Sequence, residues 1–480
     1  MIFPDLNLGA FGPELALAAG ALIALVLAAL GRQGKVTGAV GLSAAVIGLV
    51  WWWRLSPADG SFGGDYGGDG ISYFARGFFL FVAAAMTLLV GDGEVTGRRR
   101  QGEFLALLYI SVIGMMVMAS AHNWVMIFLG LETMSIPLYV MAAFYRTESA
   151  SIEAGVKYFI YGAFASAFFV YGLALVYAAT GTVDQILLFE AAPLSRLLAA
   201  GLVLLLVGLA FKVAAVPFHM WAPDAYTGAP TPVTAFFAVA PKAAGFVALY
   251  RLTTLGAELA GPALVSMLAT LAVLTIILGN LWALVQVRLK RMLAYSSIAH
   301  AGYLLLALVA FDQGGDVALM FYLVAYGLMT LGAFVVLLMF EMDGAADTYD
   351  DLSGGAVRRP LPALAMTIFM ISLAGFPATA GFIGKLAIFR ALLEKGDLAL
   401  VLVAIAGSLV SVAYYLRVVV YLYMRTGPEL AAARAPRMWT GLTVALAVGV
   451  LLFGLFPDLI WSGISAWSAA PGKGLATMLP

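Results

Sequence analysis

Cysteine is absent from the 480 residues, and histidine occurs three times, at His122, His219 and His300. Iron–sulfur clusters are held by cysteine thiolates and haem by His, Met or Cys axial ligands. The sequence therefore argues against a chain that carries electrons, and no cofactor is expected in it. Charge is scarce: 11% of residues are Asp, Glu, Lys or Arg, less than half of the roughly 25% usual in soluble domains. The 26 acidic residues balance the 26 basic ones, which argues against a nucleic-acid surface. The N-terminal run MIFPDLNLGAFG has neither a basic stretch nor a clear cleavage site, so the first apolar helix is expected to stay in the membrane. No low-complexity tail or inter-domain linker is visible. What fills the chain is apolar: 63% hydrophobic residues, at a mean hydropathy of +1.00.

A membrane-spanning helix needs about 20 mostly apolar residues. Fourteen such segments follow one another, near 12–31, 37–55, 72–91, 103–121, 124–144, 154–179, 197–218, 231–254, 261–286, 293–311, 316–340, 361–393, 399–423 and 438–460. With the N-terminus outside, the inner loops hold 15 basic residues: Arg32, Lys35, Arg98, Arg99, Arg100, Arg146, Lys157, Arg288, Lys290, Arg291, Arg358, Arg359, Arg425, Arg434 and Arg437. The outer loops hold four, Arg54, Arg196, Lys395 and Lys473. Basic residues concentrate on the cytoplasmic side, so both termini are expected outside. The Gly- and Asp-rich run PADGSFGGDYGGDGI at 57–71 reads as a flexible outer loop.

Four charges fall inside these segments. Glu132 is in the middle of the fifth, Lys212 in the second half of the seventh, Lys242 in the middle of the eighth and Lys385 in the second half of the twelfth. A charged residue at the centre of a membrane helix costs about 2.5–3.5 kcal/mol on insertion scales and usually faces the protein interior. Helix breakers accompany all four: Pro137 after Glu132, Pro217 after Lys212, Pro241 immediately before Lys242, and Gly375, Pro377, Gly381 and Gly384 before Lys385. A proline removes one helical hydrogen bond and displaces the carbonyl four residues back, here those of Thr133, Val213 and Phe237. Freed backbone in a membrane is tolerated where protein or water satisfies it, so hydration is expected at the depth of the charges. Arg76, Arg251, Arg390 and Arg417 lie nearer segment ends and read as snorkelling side chains.

The chemistry that fits is proton movement. A lysine taken out of water loses preference for its charged form, and a nearby carboxylate restores it. At roughly 4 Å and an effective dielectric of about 20, such a pair interacts by about 4 kcal/mol. Glu132 and Lys212 thus form a candidate switch, with Lys242 and Lys385 as onward sites. One buried lysine serves packing as readily as chemistry; four charges beside breaks argue for a pathway.

The seventh and twelfth segments are both broken, both carry a lysine and lie five segments apart. A five-helix unit has an odd number of crossings, so its repeat starts from the opposite side. Segments 4–8 and 9–13 are therefore expected to be inverted repeats of the kind found in transporters. The expected organisation is an all-α polytopic membrane protein: segments 1–3 over 1–102, one repeat over 103–256, a second over 257–425, and the last segment and tail over 426–480.

The run FKVAAVPFHMWAPDAYTGAPTPVTAFFAVAPKAAGF from Phe211 to Phe246 resembles the signature of the antiporter-like subunits L, M and N of respiratory complex I. AVAPKAAGF around Lys242, KRMLAYSSIAHAGY from Lys290 to Tyr303, and LETMSIPLYV around Glu132 extend the likeness, which is greatest to subunit N. The resemblance covers nearly the whole chain. It implies that Glu132 and Lys212 are the family's glutamate and lysine of helices 5 and 7, Lys242 the central lysine, and Lys385 the helix 12 lysine of subunits N and L. It places His219 as a polar bridge and His300 beside a water path, although a lone histidine is as well read as a satisfied polar group. It also marks Glu153 and Lys157, an i,i+4 pair that equally serves to cap a helix end. Tyr295, Ser296 and Ser297 read as helix-start polar groups.

The resemblance implies a proton-translocating subunit of a bacterial NADH–quinone oxidoreductase in the inner membrane. NAD, FMN, iron–sulfur clusters and quinone would belong to partner chains. The partners implied are the other subunits of the complex, especially a neighbouring antiporter-like subunit and small membrane subunits, together with the bilayer. Two readings compete: a subunit of a multi-subunit Na+/H+ antiporter or membrane-bound hydrogenase, and a structural subunit that pumps nothing.

Overall fold

A computed structural model of the chain describes residues 7–32, 34–91, 100–185, 187–188, 194–344, 347–427, 433 and 435–469. Arg98, Arg99, Arg434, Lys473 and both termini lie outside them. Eighteen α-helices make up almost all of the described structure. In chain order they are α1 Gly12–Ala29, α2 Lys35–Arg54, α3 Gly70–Val90, α4 Gln101–Ser120, α5 Trp124–Ala142, α6 Ser149–Thr180, α7 Arg196–Lys212, α8 Trp221–Gly228 and α9 Thr231–Ala260. There follow α10 Pro262–Leu284, α11 Leu289–Val309, α12 Gly315–Glu341, α13 Gly355–Arg358, α14 Pro360–Ala374, α15 Ala380–Lys395, α16 Leu398–Met424, α17 Arg437–Leu455 and α18 Asp458–Ser468.

Among the described residues, twelve helices are long and apolar enough to cross a membrane. The seventh sequence segment holds α7 and the break after it, with α8 just beyond its end, and the twelfth is two helices, α14 and α15. The helix ends follow local chemistry. Asp69, Asn123 and Ser195 accept hydrogen bonds from the first-turn amides of α3, α5 and α7, which otherwise lack partners. Gly375 ends α14 with φ +89°, a conformation L-residues rarely adopt.

Burial sorts the helices. α3, α9, α11 and α12 bury nearly all of their residues and form the centre, whereas α2, α6, α16 and α17 bury only about a third of theirs. Exposed Phe159, Phe164, Tyr171, Leu402 and Leu409 lie on α6 and α16, a composition suited to lipid or partner helices. Loops of one set meet on one face: Tyr66 bridges to Ala121 and Asn123 to Asp184. Loops of the other, basic set meet on the opposite face, where Arg288 bridges to Thr348.

Three sequence expectations change here. The 57–71 run is not simply a loose loop: Gly60–Ser61 and Tyr66–Gly67 pair as antiparallel strands around a short 3-10 helix. Pro137 and Pro241 do not break their helices: α5 and α9 run through them. Arg76 and Arg251 do not snorkel. Arg76 is 2% exposed and holds both Glu14 oxygens, Nε to Oε1 at 2.9 Å and Nη2 to Oε2 at 2.8 Å. Arg251 is 6% exposed and donates to Asp69 Oδ2 and Ser72 Oγ, each at 2.8 Å, and to the Ala119 carbonyl. Their carboxylates sit far away in sequence, so position along the segment gave no hint of pairing.

At one face, α18 lies across the start of α3, with Trp467 against Trp52, Tyr73 and Phe74. A β-carbon at Gly70 would stand 1.7 Å from the Trp467 carbonyl oxygen. Gly70→Ala is therefore expected to lift α18 and cost about 1–3 kcal/mol, read as faster proteolysis within 458–468. Unchanged cleavage there would show that this approach is not tight.

Candidate functional site

α7 ends where its last residue, Lys212, turns inward. The ammonium is 3% exposed as part of its residue and donates to Ser135 Oγ on α5 at 2.8 Å and Tyr158 Oη on α6 at 3.4 Å. The rings of Tyr139 and Tyr158 face it at 5.9 and 5.5 Å. Beyond it the chain is broken over 213–220, and the broken backbone finds partners. The Val216 amide donates to Thr275 Oγ1 at 2.9 Å, and the Trp221 indole to the Phe211 carbonyl at 2.9 Å. Ala214 takes φ +58° inside this break, and Ala378 takes φ +66° inside the break between α14 and α15. Both are the left-handed conformation that costs an L-residue about 1–2 kcal/mol.

Glu132, half-buried on α5, accepts from Ser166 Oγ on α6. No ion pair joins it to Lys212: the two charges are separately held, the carboxylate by Ser166 and the ammonium by Ser135. A narrow cleft lined by Ser135, Tyr139, Gly162, Ser166, Phe211 and Lys212 runs from Lys212 to the Ser166 that holds Glu132, with room for about one water molecule. The ion pair expected between Glu132 and Lys212 is thus not formed.

The stem of Lys212 lies beside Gly245, where an added β-carbon would be 3.6 Å from Lys212 Cβ. Three residues earlier on α9 is Lys242, 2% exposed. Its ammonium donates to the Ser297 carbonyl on α11 at 2.6 Å and also to the Ser297 hydroxyl. Tyr326 Oη of α12 donates to the same hydroxyl at 2.8 Å. The carbonyl freed by Pro241, that of Phe237, accepts from Tyr226 Oη at 3.2 Å.

One helical turn beyond Ser297 lies His300, 1% exposed. Its Nδ1 is 2.6 Å from Tyr322 Oη and its Nε2 2.9 Å from Tyr415 Oη, which also bonds Ser296 Oγ. The His300 ring is 5.9 Å from that of Tyr303. Lys385 Nζ in turn sits 4.9 Å from the centre of the Tyr303 ring. Lys385, 3% exposed, donates to the Leu373 and Ala374 carbonyls at 3.0 and 3.1 Å and to Ser408 Oγ at 2.9 Å. Those carbonyls are the negative end of α14, and they are open to the lysine because the helix stops there. Gly375 leaves space for it: a β-carbon would be 3.0 Å from Lys385 Cδ.

The structure therefore brings Lys212, Lys242, His300 and Lys385 into one buried, hydroxyl-lined row, with Glu132 at its edge. His219 stands apart. It is half-buried within the first break, its Nδ1 has no hydrogen-bond partner, and no contact joins it to the lysines. Ser296 and Ser297 were misplaced by the sequence: α11 starts at Leu289, so they lie two turns in and face the site. Tyr322, Tyr326 and Tyr415 were missed, since tyrosine is common in any apolar helix. Glu153 and Lys157 belong to a cluster on the basic face, where Lys157 also meets Asp224 at 3.0 Å and Asp224 meets Arg291 at 3.0 Å. Among the described residues, no group of three His, Asp or Glu side chains could hold a metal ion.

The comparisons with known proteins agree with one another. Residues 121–411 match the family described as NADH:quinone oxidoreductase/Mrp antiporter, TM. NADH-quinone oxidoreductase subunit N of Trichlorobacter lovleyi is 40% identical over 483 residues, covering 96% of each chain. That of Rhodospirillum rubrum is 38% identical over 487 residues, covering 98% of this chain and 99% of the relative. A chain of respiratory complex I from Thermus thermophilus, solved with bound aureothin, superposes with a TM-score of 0.83 at 35% identity over 96% of this chain and all of that one. The nearly all-helical fold and these full-length matches have one reading: the chain belongs to the antiporter-like membrane subunits of NADH:quinone oxidoreductases, on the branch of subunit N.

Proposed function

We propose that this chain moves protons along the row Glu132, Lys212, Lys242, His300 and Lys385 as part of the membrane arm of a respiratory NADH–quinone oxidoreductase, driven by redox chemistry in other subunits. The observation that carries this reading is a contrast between two kinds of buried cation. Arg76, Arg251 and Arg359 each hold a carboxylate, those of Glu14, Asp69 and Asp343. Lys212, Lys242 and Lys385 are as deeply buried, yet among the described residues each is held only by neutral oxygens and ring faces. A structural cation needs its counter-ion, because an unpaired buried charge is costly. A lysine cradled by neutral donors and acceptors is poised to be either charged or neutral, which arginine cannot do.

Glu132 acts in this scheme as the gate. Closing the cleft would place its carboxylate against Lys212 and hold the proton there; opening it would leave Lys212 free to release the proton toward Lys242. His219 is assigned as an auxiliary polar group at the first break, where its buried Nδ1 has no hydrogen-bond partner among the described residues. The five-helix units α4–α9 and α10–α16 are read as inverted repeats, each with one broken helix, within the divisions 1–102, 103–256, 257–425 and 426–480. The setting proposed is a bacterial inner membrane with both termini periplasmic. A neighbouring antiporter-like subunit and small membrane subunits are the partners, and NAD, FMN, iron–sulfur clusters and quinone lie in other chains.

The test is removal of single groups in the assembled complex reconstituted into liposomes. Lys385→Met keeps side-chain volume and removes the proton site; a fall in protons moved per NADH is expected. Glu132→Gln keeps shape and removes the gate's charge, and is expected to lower coupled turnover by about tenfold, or about 1.4 kcal/mol of barrier. Normal stoichiometry in both variants would remove the row from the mechanism and leave a structural subunit.

A further inference from the structure

We infer that Tyr322 and Tyr415 are positioning residues that make His300 a two-sided proton relay, through the hydrogen-bonded wire Tyr322–His300–Tyr415–Ser296. This rests on the proton-moving role proposed above and goes beyond it by assigning two hydroxyls and a direction-reversing element to the stretch between Lys242 and Lys385.

The geometry is specific. A neutral imidazole has one N–H donor and one bare nitrogen acceptor, and here each nitrogen has its own tyrosine hydroxyl. Nδ1 faces Tyr322 Oη at 2.6 Å and Nε2 faces Tyr415 Oη at 2.9 Å. The hydroxyls come from two different helices, α12 and α16, so the ring is clamped between them on α11. Tyr415 is itself bonded to Ser296 Oγ, four residues before His300 on the same helix. All four side chains are buried, His300 and Ser296 to 1% and 2% exposure.

Such a row has two equivalent polarities. In one, Tyr322 donates to Nδ1, Nε2–H donates to Tyr415, and Tyr415 donates to Ser296. In the other, every donor and acceptor is exchanged. For a proton entering at Tyr322, that hydroxyl takes the new proton as it gives its own to Nδ1, Nε2 gives its proton to Tyr415, and Tyr415 gives its own to Ser296, which releases one in turn: every O–H or N–H bond formed is matched by one broken, and the ring ends as the opposite tautomer. Passage in either sense requires both hydroxyls, because each nitrogen has one partner. The row lies between the groups around the two lysines. His300 packs 5.3 Å from the ring of Tyr326, whose hydroxyl reaches Ser297 and so Lys242. Tyr322 packs on Gly384, where a β-carbon would be 2.4 Å from its ring, next to Lys385.

A wire and a packing cluster differ in how losses combine. In a single wire, cutting either end stops passage, so a second cut adds nothing; in packing, separate losses add. The experiment compares Tyr322→Phe, Tyr415→Phe, the double variant and Lys242→Ala in the assembled complex in liposomes, reading protons moved per NADH. Each single Phe variant is expected to lower proton movement about tenfold, and the double variant to equal the singles. A second measurement replaces Tyr415 with 3-fluorotyrosine, which keeps the shape and hydroxyl but makes it more acidic; the pH profile of coupled turnover is expected to shift. Additive losses, or an unmoved pH profile, overturn the wire. If Lys242→Ala stops pumping while both Phe variants pump normally, the wire fails and the proton-moving reading stands. If Lys242→Ala also pumps normally, both fall.

Discussion

Lys242→Ala is expected to abolish coupled proton movement in the assembled complex while leaving the subunit's stability unchanged or higher. The side chain is buried, its ammonium meets Ser297 and the ring of Tyr326, and no carboxylate balances it. Taking an ammonium from water costs several kcal/mol even after relaxation. Removing it leaves a void and an underused hydroxyl at Ser297, worth about 1–3 kcal/mol, so the two effects roughly offset. Function has no such offset. A methyl group cannot carry a proton, and with its central station gone the row is divided between Lys212 and His300. A loss of a hundredfold corresponds to only about 2.8 kcal/mol of barrier, so near-complete loss of pumping is the expected scale. The measurement pairs proton uptake in liposomes with thermal unfolding of the purified complex. Unfolding well below the wild-type temperature would place Lys242 among structural residues instead.

Arg251→Ala is expected to do the reverse, costing about 3–5 kcal/mol by stranding a buried carboxylate. Arg251 ties α9 to the cap of α3 through Asp69, to α4 through the Ala119 carbonyl, and to the loop residue His122 at 3.4 Å. His122 Nε2 meets the Gly67 carbonyl at 2.9 Å and Asp69 at 3.2 Å. The cluster also predicts acid sensitivity. Burial, and then the adjacent guanidinium, hold the His122 pKa below its ordinary value. Burial pushes Asp69 up, but Arg251 and His122 outweigh it and hold the carboxyl below its usual range. For both groups the unfolded chain binds protons more readily than the folded one. Each contribution is therefore complete above the unfolded value and is lost as pH falls through the folded one. Stability should start to drop below about pH 6.5 as His122 charges, and drop again below about pH 4 as Asp69 protonates. His122→Gln should flatten the first step only. A flat melting temperature from pH 7 down to pH 5 in the unmutated subunit would count against this account.

Much of the architecture was readable from residue order because membrane burial makes charge and helix breakers conspicuous. Lys212, Lys242 and Lys385 stood out by the cost of placing them there, and Pro217 and the Gly375–Gly384 run located the two breaks. Three things escaped. Hydroxyls cost little in a helix, since Ser and Thr can bond their own backbone, so Ser135, Ser166, Ser296 and Ser408 carried no signal. Tyr415 lies 115 residues from His300, and only the packing of α16 on α11 brings them together. The arginines were misread for the same reason: Glu14 is 62 residues from Arg76 and Asp69 is 182 from Arg251. A usable signal existed for the second, since Asp69 stands three residues before Ser72 at the start of an apolar run, a helix-capping pattern.

The end of α14 gives the last lysine an electrical property that its neighbours lack. Lys385 rests on two carbonyls and a hydroxyl, none of which changes charge when the proton comes or goes. The other end of the row, by contrast, has an acidic side chain, Glu132, held by Ser166. Filling Lys385 therefore adds a whole positive charge inside the membrane with nothing nearby to cancel it. A full crossing of the membrane is worth about 2.3 kcal/mol per charge for every 100 mV, and a charge part of the way across feels the matching fraction. In the proposed row, occupancy of this site would follow the membrane voltage, so that a strongly energised membrane would push back, through Lys385, on the proposed proton movement.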